Sequence, residues 1–175
     1  DQNGQGELQR RCADQIHRVY PHAAGSQLEA VHGRLSEELD TIRQLEIPTY
    51  FLTVAKVCDL IRDMGVRVAA RGSGAGSLVN HLLGISMVDP LRHGLLMERF
   101  MTPLRRDLPD IDLDVESDRR TDVYEQILQT FGGDRVTCVS MMDTYRVRHA
   151  IRDVGAALGL PPGEVDTIAK AFPHI

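Results

Sequence analysis

Three aspartates alternate with aliphatic residues in the segment 110–115, which reads DIDLDV. Because successive side chains of a β-strand point to opposite faces, this spacing places Asp110, Asp112 and Asp114 on one face of a predicted strand. Neighbouring carboxylates repel one another, and a divalent cation relieves that repulsion. Oxygen ligands favour Mg²⁺ or Mn²⁺, and two such ions can activate a hydroxyl and stabilise a departing pyrophosphate. The alternative is a solvated edge strand whose charges discourage pairing with other chains.

A glycine-rich loop, RGSGAGS from Arg71 to Ser77, lies between a predicted strand over 66–70 and a predicted helix over 77–83. Glycine lets a backbone approach a phosphate closely, and the first amides of a helix carry a partial positive charge. Arg71 adds a full charge, while Ser73 and Ser77 add hydroxyl donors. The loop is neither a Walker A motif nor a complete dinucleotide fingerprint. It predicts a phosphate cradle, the alternative being a tight turn in which Ser77 only caps the helix.

Two arginines, Arg148 and Arg152, are four residues apart in a segment with helical periodicity over 145–158. Residues at this spacing share one face of a helix. Such a face can contact the phosphates of a nucleic acid, or it can be a solvated surface whose arginines pair with nearby acids. The spacing by itself leaves both interpretations open.

The elements that must position these groups alternate irregularly between helices and strands. Apolar residues at three- and four-residue steps from Leu28 to Leu45 predict a long helix that Ser26 caps and Pro48 ends. This order of elements predicts an α+β fold, with α/β as the other class that the pattern allows. Further helices are predicted over 5–20, 49–64, 77–83, 95–101, 118–131, 145–158 and 162–172, and strands over 66–70, 110–115 and 135–141.

Composition is typical of a globular protein and argues against a membrane-spanning one. Of 175 residues, 42% are hydrophobic and 26% charged, and the apolar stretches are too short to cross a bilayer. The net charge of −5 argues mildly against strong nucleic-acid binding, although 99–106 and 146–152 are locally basic. Three widely separated cysteines favour reduced core residues over a metal or redox site. The first residues resemble neither a start site nor a signal peptide, so we expect the chain to be part of a longer one.

The motifs in combination resemble a known family, the alpha subunit of bacterial DNA polymerase III and its error-prone relatives. The segments that carry the resemblance follow the family's order and approximate spacing and span about residues 27–175. They are YFLTVAKVCDLIRDMGV (50–66), RGSGAGSLVNHLLGISMVDP (71–90), LLMERFMTP (95–103), LPDIDLDVESDRR (108–120) and AIRDVGAALGLPPGEVDTIAK (150–170). Each motif alone is unspecific, whereas the five together are highly specific to this family.

The resemblance implies a fold and an order of domains. The fold would be a polymerase palm of the nucleotidyltransferase β type, with a mixed sheet and flanking helices, followed by the start of a helical thumb. Residues 1–26 would form a helical lead-in, 27–143 the first segment of the palm, and 144–175 the start of the thumb.

The resemblance also implies roles for particular residues. Asp112 and Asp114 match the family's two metal-binding catalytic aspartates, and Asp110 matches a neighbouring acidic position of secondary importance. Arg148 and Arg152 would contact DNA. The residues that match the family's binding site for the incoming triphosphate are Arg71, Gly72, Ser73, Ser77 and Arg99.

The implied activity is template-directed addition of deoxynucleotides to a primer 3′-hydroxyl by two-metal phosphoryl transfer, in replication or translesion synthesis. The cofactor would be Mg²⁺ or Mn²⁺, and the substrates deoxynucleoside triphosphates and primer–template DNA. The sliding clamp and other replisome subunits would bind elsewhere on the parent protein, in the bacterial cytoplasm near the nucleoid. The family's third catalytic aspartate lies beyond residue 175, so the chain alone is expected to be inactive. Two alternatives are an untemplated nucleotidyltransferase and a non-catalytic module that binds DNA or proteins.

Overall fold

The computed structural model describes residues 2–104, 108–140, 142 and 144–172, which divide between two compact units, Asp1–Val136 and Thr137–Ile175. Two short strands are present, β1 (Val68–Arg71) and β2 (Asp112–Val115). The α-helices are α1 (Gln2–Val19), α2 (Ser26–Gln44), α3 (Pro48–Asp63), α4 (Leu78–Leu82), α5 (Arg120–Phe131), α6 (Val147–Ala157) and α7 (Pro162–Ala171). The 3₁₀ turns are Gly72–Gly76, Met97–Arg99 and Ser117–Arg119.

The core of the first unit forms where the apolar faces of α1, α2 and α3 meet. The apolar stripe predicted for α2 is confirmed, since Val31, Leu35 and Ile42 are all buried. Phe51 of α3 is fully buried and meets Phe100 edge-to-face, with ring centroids 6.1 Å apart. Because each large apolar side chain contributes about 1.5–3 kcal/mol when buried, this core fixes the helices on which the loop after β1 rests.

The two strands pair antiparallel and turn opposite faces to the core and to solvent. Arg71 lies opposite Asp112, and Ala69 lies opposite Asp114, on the exposed face. The alternation predicted for the aspartate segment is therefore confirmed for the residues of β2, and Asp110 precedes the strand. The apolar residues of the other face pack on or within the core and are Val68, Ala70, Leu113 and Val115.

The predicted palm with a mixed sheet is wrong, because the described part of the chain is mostly helical and contains a single two-stranded sheet. The third strand, predicted over 135–141, is absent from residues 135–140, and Met141 lies outside the described residues. This segment has no partner strand among the described residues, and Val139 is 87% exposed. The helix predicted over 95–101 is reduced to the 3₁₀ turn at Met97–Arg99. The domain boundaries predicted at residues 26 and 143 stay predictions.

The second unit consists mainly of α6 and α7 packed against each other. Arg148 donates two hydrogen bonds to the carbonyl oxygen of Phe172, and Arg152 forms an ion pair with Asp166. The first contact joins the start of α6 to the end of α7 and the second joins their middles, so the two helices run antiparallel. Gly155 faces Val165 so closely that the interface has no room for a larger residue at position 155.

Candidate functional site

The exposed face of the sheet carries an arginine between two aspartates. Arg71 Nε donates to Asp114 Oδ1 at 3.0 Å, and Arg71 Nη1 lies 3.9 Å from Asp112 Oδ2. The side chains of Asp112 and Asp114 are 53% and 63% exposed, so a ligand can reach both carboxylates from solvent. The antiparallel register brings the first residue of the glycine loop directly beside the predicted metal ligands.

A second pair of opposite charges, Arg67 and Glu116, lies next to the strands at the residue before β1 and the residue after β2. Arg67 donates from its backbone amide and its Nε to Glu116 Oε1, both at 2.9 Å. These hydrogen bonds lower the pKa of Glu116, and the hydrogen bond to Asp114 raises the pKa of Arg71. Glu116 and Arg71 therefore stay ionised near neutral pH, and the guanidinium of Arg71 lies between the two aspartates.

The glycine loop has an exposed outer half and a buried inner half. Arg71, Gly72 and Ser73 are exposed, whereas Gly74, Gly76 and Ser77 are buried. Gly72 adopts φ +72°, which only glycine accepts without strain, and a Cβ there would lie 3.7 Å from Asp112 Oδ2. The backbone of the outer half thus passes close to the first aspartate of β2. This half contains the donors that a phosphate could reach.

The inner half is held by a carboxylate that the sequence reading missed. Glu38 of α2 is fully buried and accepts hydrogen bonds from Ser77 Oγ (2.8 Å), Leu78 N (2.8 Å) and Val79 N (3.0 Å). Arg34, one turn earlier, donates from Nε to Glu38 at 2.8 Å. Leaving any one of these donors without its acceptor would cost about 1–3 kcal/mol. The sequence does indicate that Glu38 is buried, because it lies three residues after Leu35 and four before Ile42, on the apolar stripe of α2.

Arg34 connects this carboxylate to the segments on either side. Its Nη2 donates to the carbonyl oxygens of Gly76 at 2.9 Å and Leu95 at 3.1 Å. Two residues of α2 thereby fix the end of the loop, the start of α4 and the segment that leads to the turn at Met97–Arg99.

Ser77 and Arg99, both predicted to bind triphosphate, lie in different surroundings. Ser77 is buried and caps α4, accepting from Asn80 N at 3.1 Å while donating to Glu38. The first amides of α4 are occupied by Glu38, so the capping alternative describes the geometry of Ser77. Arg99 is exposed and directly precedes Phe100, whose ring lies 3.8 Å from the Cβ position of Gly74. Their contact with a triphosphate stays a prediction.

The donor set of Asp112 and Asp114 fits a hard divalent cation. Mg²⁺ binds proteins through one or two carboxylates and takes its remaining ligands from water and substrate phosphate. Within the described ranges, no group of three or more His, Cys, Asp and Glu side chains is arranged to hold a metal ion. A metal at this site would therefore use the two aspartates together with ligands from outside these residues, and it would compete with Arg71.

Tyr50 packs against the core near the start of β2. Burial is the main cause that raises the pKa of Tyr50, and the charges of Asp110 and Asp112 raise it further. A hydrogen bond with the backbone of Ile111 acts in the opposite direction and lowers this pKa. The ring of Tyr50 also meets Phe51 edge-to-face, with centroids 5.7 Å apart. Tyr50 thus connects α3 to the backbone just before Asp112.

Comparison with known families shows where this arrangement belongs. The sequence profile of the family described as "Bacterial DNA polymerase III alpha NTPase domain" matches residues 6–175. The chain belongs to the bacterial DNA polymerase III alpha family. The resemblance predicted from the five motifs is thereby confirmed.

Relatives of this polymerase III alpha chain include several error-prone DNA polymerases. That of Anaeromyxobacter dehalogenans (strain 2CP-C) is 45% identical over 146 residues, which are 83% of this chain and 13% of the relative. That of Mycobacterium tuberculosis (strain H37Rv) is 41% identical over 143 residues, 82% of this chain and 13% of the relative. That of Symbiobacterium thermophilum is 40% identical over 160 residues, which are 90% of this chain and 15% of the relative. The chain thus spans only about one seventh of the length of these relatives.

The two arginines predicted to bind DNA lie in the second unit and already have partners within it. Arg148 contacts the carbonyl of Phe172, and Arg152 Nη2 lies 2.7 Å from Asp166 Oδ1. Lys170 also pairs with Asp166, and the hydrogen bonds from Lys170 and Arg152 lower the pKa of the Asp166 carboxyl. Contact with DNA stays a prediction. No described helix is both long and apolar enough to cross a bilayer.

Proposed function

We propose that this polymerase III alpha chain contributes the nucleotide-binding loop and two metal-binding aspartates to a DNA-directed DNA polymerase. The observation that carries the proposal is the register of the sheet, in which Arg71 of the loop lies opposite Asp112 and contacts Asp114. The group proposed to bind phosphate would therefore lie beside the pair proposed to bind metal. The names of the relatives, error-prone DNA polymerases, support the same reaction.

The loop residues and the strand residues would have separate tasks in nucleotidyl transfer. Arg71 and Ser73 would bind the phosphates of a deoxynucleoside triphosphate, and the backbone at Gly72 would approach them without a side chain in the way. Asp112 and Asp114 would hold Mg²⁺, or Mn²⁺ in its place. When bound, such ions lower the pKa of the attacking 3′-hydroxyl and offset the charge of the leaving pyrophosphate. Catalysis in this class depends mainly on position and charge rather than on a protein base.

Arg71 would change partners during this reaction. In the structure it neutralises the two aspartates, and a bound cation would take over that task. Arg71, which lies within hydrogen-bonding distance of Asp114, would then be available to bind a substrate phosphate beside the two aspartates. Arg99 would add positive charge from the turn after Leu96, and Ser77 would hold the inner half of the loop in place.

The other elements of the proposal concern the parent protein. Its substrates would be primer–template DNA and deoxynucleoside triphosphates, and Arg148 and Arg152 would contact DNA after exchanging their present partners. The sliding clamp and other replisome subunits would bind other parts of the parent, and the site of action would be the cytoplasm near the nucleoid. Because the two aspartates need further ligands, we expect the 175 residues alone to be inactive.

Primer extension by the full-length parent tests this proposal. On a primer–template with one unpaired template base, and with Mg²⁺ present, the parent should add only the complementary deoxynucleotide. Addition that ignores the template base would favour an untemplated nucleotidyltransferase, and no addition would favour a non-catalytic module. The 175-residue chain should incorporate nothing in the same assay, and incorporation by it would overturn the expected inactivity.

A further inference from the structure

Glu38 is a fully buried carboxylate that the proposed nucleotidyl transfer does not use directly. Its two oxygens accept from four donors, which come from α2, from the end of the glycine loop and from the first turn of α4. A charge buried at this depth is tolerated only when it is fully hydrogen-bonded and paired, and Arg34 supplies the pairing charge. Such an arrangement is costly to assemble and fixes the relative positions of the segments that it joins.

The carboxylate occupies the place where a phosphate would meet α4. Leu78 N and Val79 N, the first amides of that helix, point at Glu38 rather than at solvent. Ser77 Oγ is directed to the same carboxylate. The inner half of the loop is therefore occupied by the protein's own carboxylate, and within the loop the exposed residues left for a substrate phosphate are Arg71, Gly72 and Ser73.

A continuous series of contacts leads from Glu38 to the aspartate strand. Ser77, which donates to Glu38, accepts from the backbone of Asn80, and Asn80 Nδ2 donates to Gly74 O at 2.9 Å. Gly74 in turn neighbours Ile111, the residue before Asp112, since a Cβ added to Gly74 would lie 4.0 Å from Ile111 Cγ1. Each contact joins groups that are buried or partly buried, so a shift at Glu38 would reach the loop and its contact with β2.

We propose that Glu38 is the positioning residue of the nucleotide-binding loop, holding its inner half so that Arg71–Ser73 face the metal-binding aspartates. Arg34 acts with it by fixing the carbonyl oxygens of Gly76 and Leu95. The inference rests on the proposed function, since it presumes that a triphosphate binds at the outer half. It adds that the phosphates do not bind the amides of α4 and that a residue outside the motif sets the loop's position.

The first test measures loop order and requires no catalysis. Hydrogen–deuterium exchange of the full-length parent should show faster exchange in peptides covering residues 72–82 after Glu38→Gln. Glu37→Gln is the matched control, because it makes the same change at the adjacent, exposed position of α2. Exchange in Glu38→Gln that equals exchange in Glu37→Gln would overturn the proposal.

The second test separates positioning from general loss of structure. Glu38→Gln should lower kcat/KM for the incoming deoxynucleotide by about tenfold or more, since small misplacements of a reacting group are costly. The dissociation constant for primer–template should stay within about twofold of the control. A parallel loss of nucleotide and primer binding would indicate a merely structural role and would contradict the inference.

A milder variant keeps the proposal testable if Glu38→Gln does not fold. Ser77→Ala removes one of the four donors to Glu38 together with the acceptor of Asn80 N, and leaves the buried ion pair intact, so it should show the same pattern to a smaller extent. If Ser77→Ala raises KM for the nucleotide without faster exchange over 72–82, Ser77 contacts the triphosphate itself and the proposal fails. If the wild-type parent incorporates no nucleotide, the proposed function fails, whereas the exchange experiment still reports on Glu38.

Discussion

Substitution of two glycines in the same loop should have opposite effects on stability. An added Cβ at Gly76 would lie 3.1 Å from the carbonyl oxygen of Leu96, closer than side-chain carbons normally approach backbone oxygen. An added Cβ at Gly74 would meet its nearest atom, Asn80 Nδ2, at 3.5 Å, which is ordinary van der Waals contact. Neither glycine has a positive φ, so steric contact alone decides the outcome.

The expected magnitudes follow from these distances. Gly76→Ala forces the backbone at buried Gly76 or at Leu96 to move by a few tenths of an ångström, and overpacking of this kind costs about 1–3 kcal/mol. The shift would also disturb the hydrogen bond from Arg34 to Gly76 O, which is 2.9 Å long. Gly74→Ala creates no close contact and restricts the unfolded chain, which favours the folded state by about 0.4–1 kcal/mol.

Thermal unfolding followed by circular dichroism measures the difference. For a chain of 175 residues, 1 kcal/mol corresponds to a change of about 2–4 °C in melting temperature. Gly76→Ala should therefore melt about 2–12 °C below wild type, and Gly74→Ala at or slightly above it. Equal melting temperatures for the two variants would refute the view that the inner half of the loop is rigidly packed against the segment at Leu96.

The other predictions concern three separate features. Gly155→Ala should destabilise the second unit by about 1–3 kcal/mol, because the added Cβ would lie 2.6 Å from Val165 Cγ2. Adding Val165→Ala to this variant should restore part of the lost stability, as measured by thermal unfolding. Arg71→Gln should tighten Mn²⁺ binding to the parent, measured by electron paramagnetic resonance, more than Arg67→Gln, since only Arg71 contacts both aspartates. Alkylation at about pH 8 should modify the exposed Cys138 before the buried Cys12 and Cys58. Burial raises the pKa of the Cys12 thiol to about 12 and that of the Cys58 thiol to about 11, and mass spectrometry would show the order of modification.

Local features of the fold were predictable because they depend on neighbours in sequence. The apolar steps of α2 and the glycine after β1 are read directly from spacing and from residue type. The alternation of β2 likewise predicts that Asp112 and Asp114 share a face. Their partner was not predictable, because Arg71 is brought opposite Asp112 by the packing of intervening elements rather than by any local pattern.

Other features could not be predicted because they depend on tertiary partners. The segment 135–140 has the composition of a strand, yet a strand requires a hydrogen-bonded partner strand, and none is present for it in the described chain. Glu38 was missed because glutamate is normally exposed, and its burial makes sense only once Arg34 and the amides of α4 surround it. The two arginines of α6 share a face as predicted, but the identity of their partners on α7 depends on how the hairpin closes.

Nucleotide incorporation by full-length aspartate variants tests the central assignment most directly. In single-turnover primer extension with Mg²⁺, Asp112→Asn and Asp114→Asn should each lower the rate at least about a hundredfold, as expected when a group that stabilises transition-state charge is removed. Asp118→Asn, an exposed aspartate just beyond the strand, is the control and should keep the wild-type rate. A near-wild-type rate in both strand variants, with folding unchanged, would contradict the assignment of β2 as the metal-binding strand.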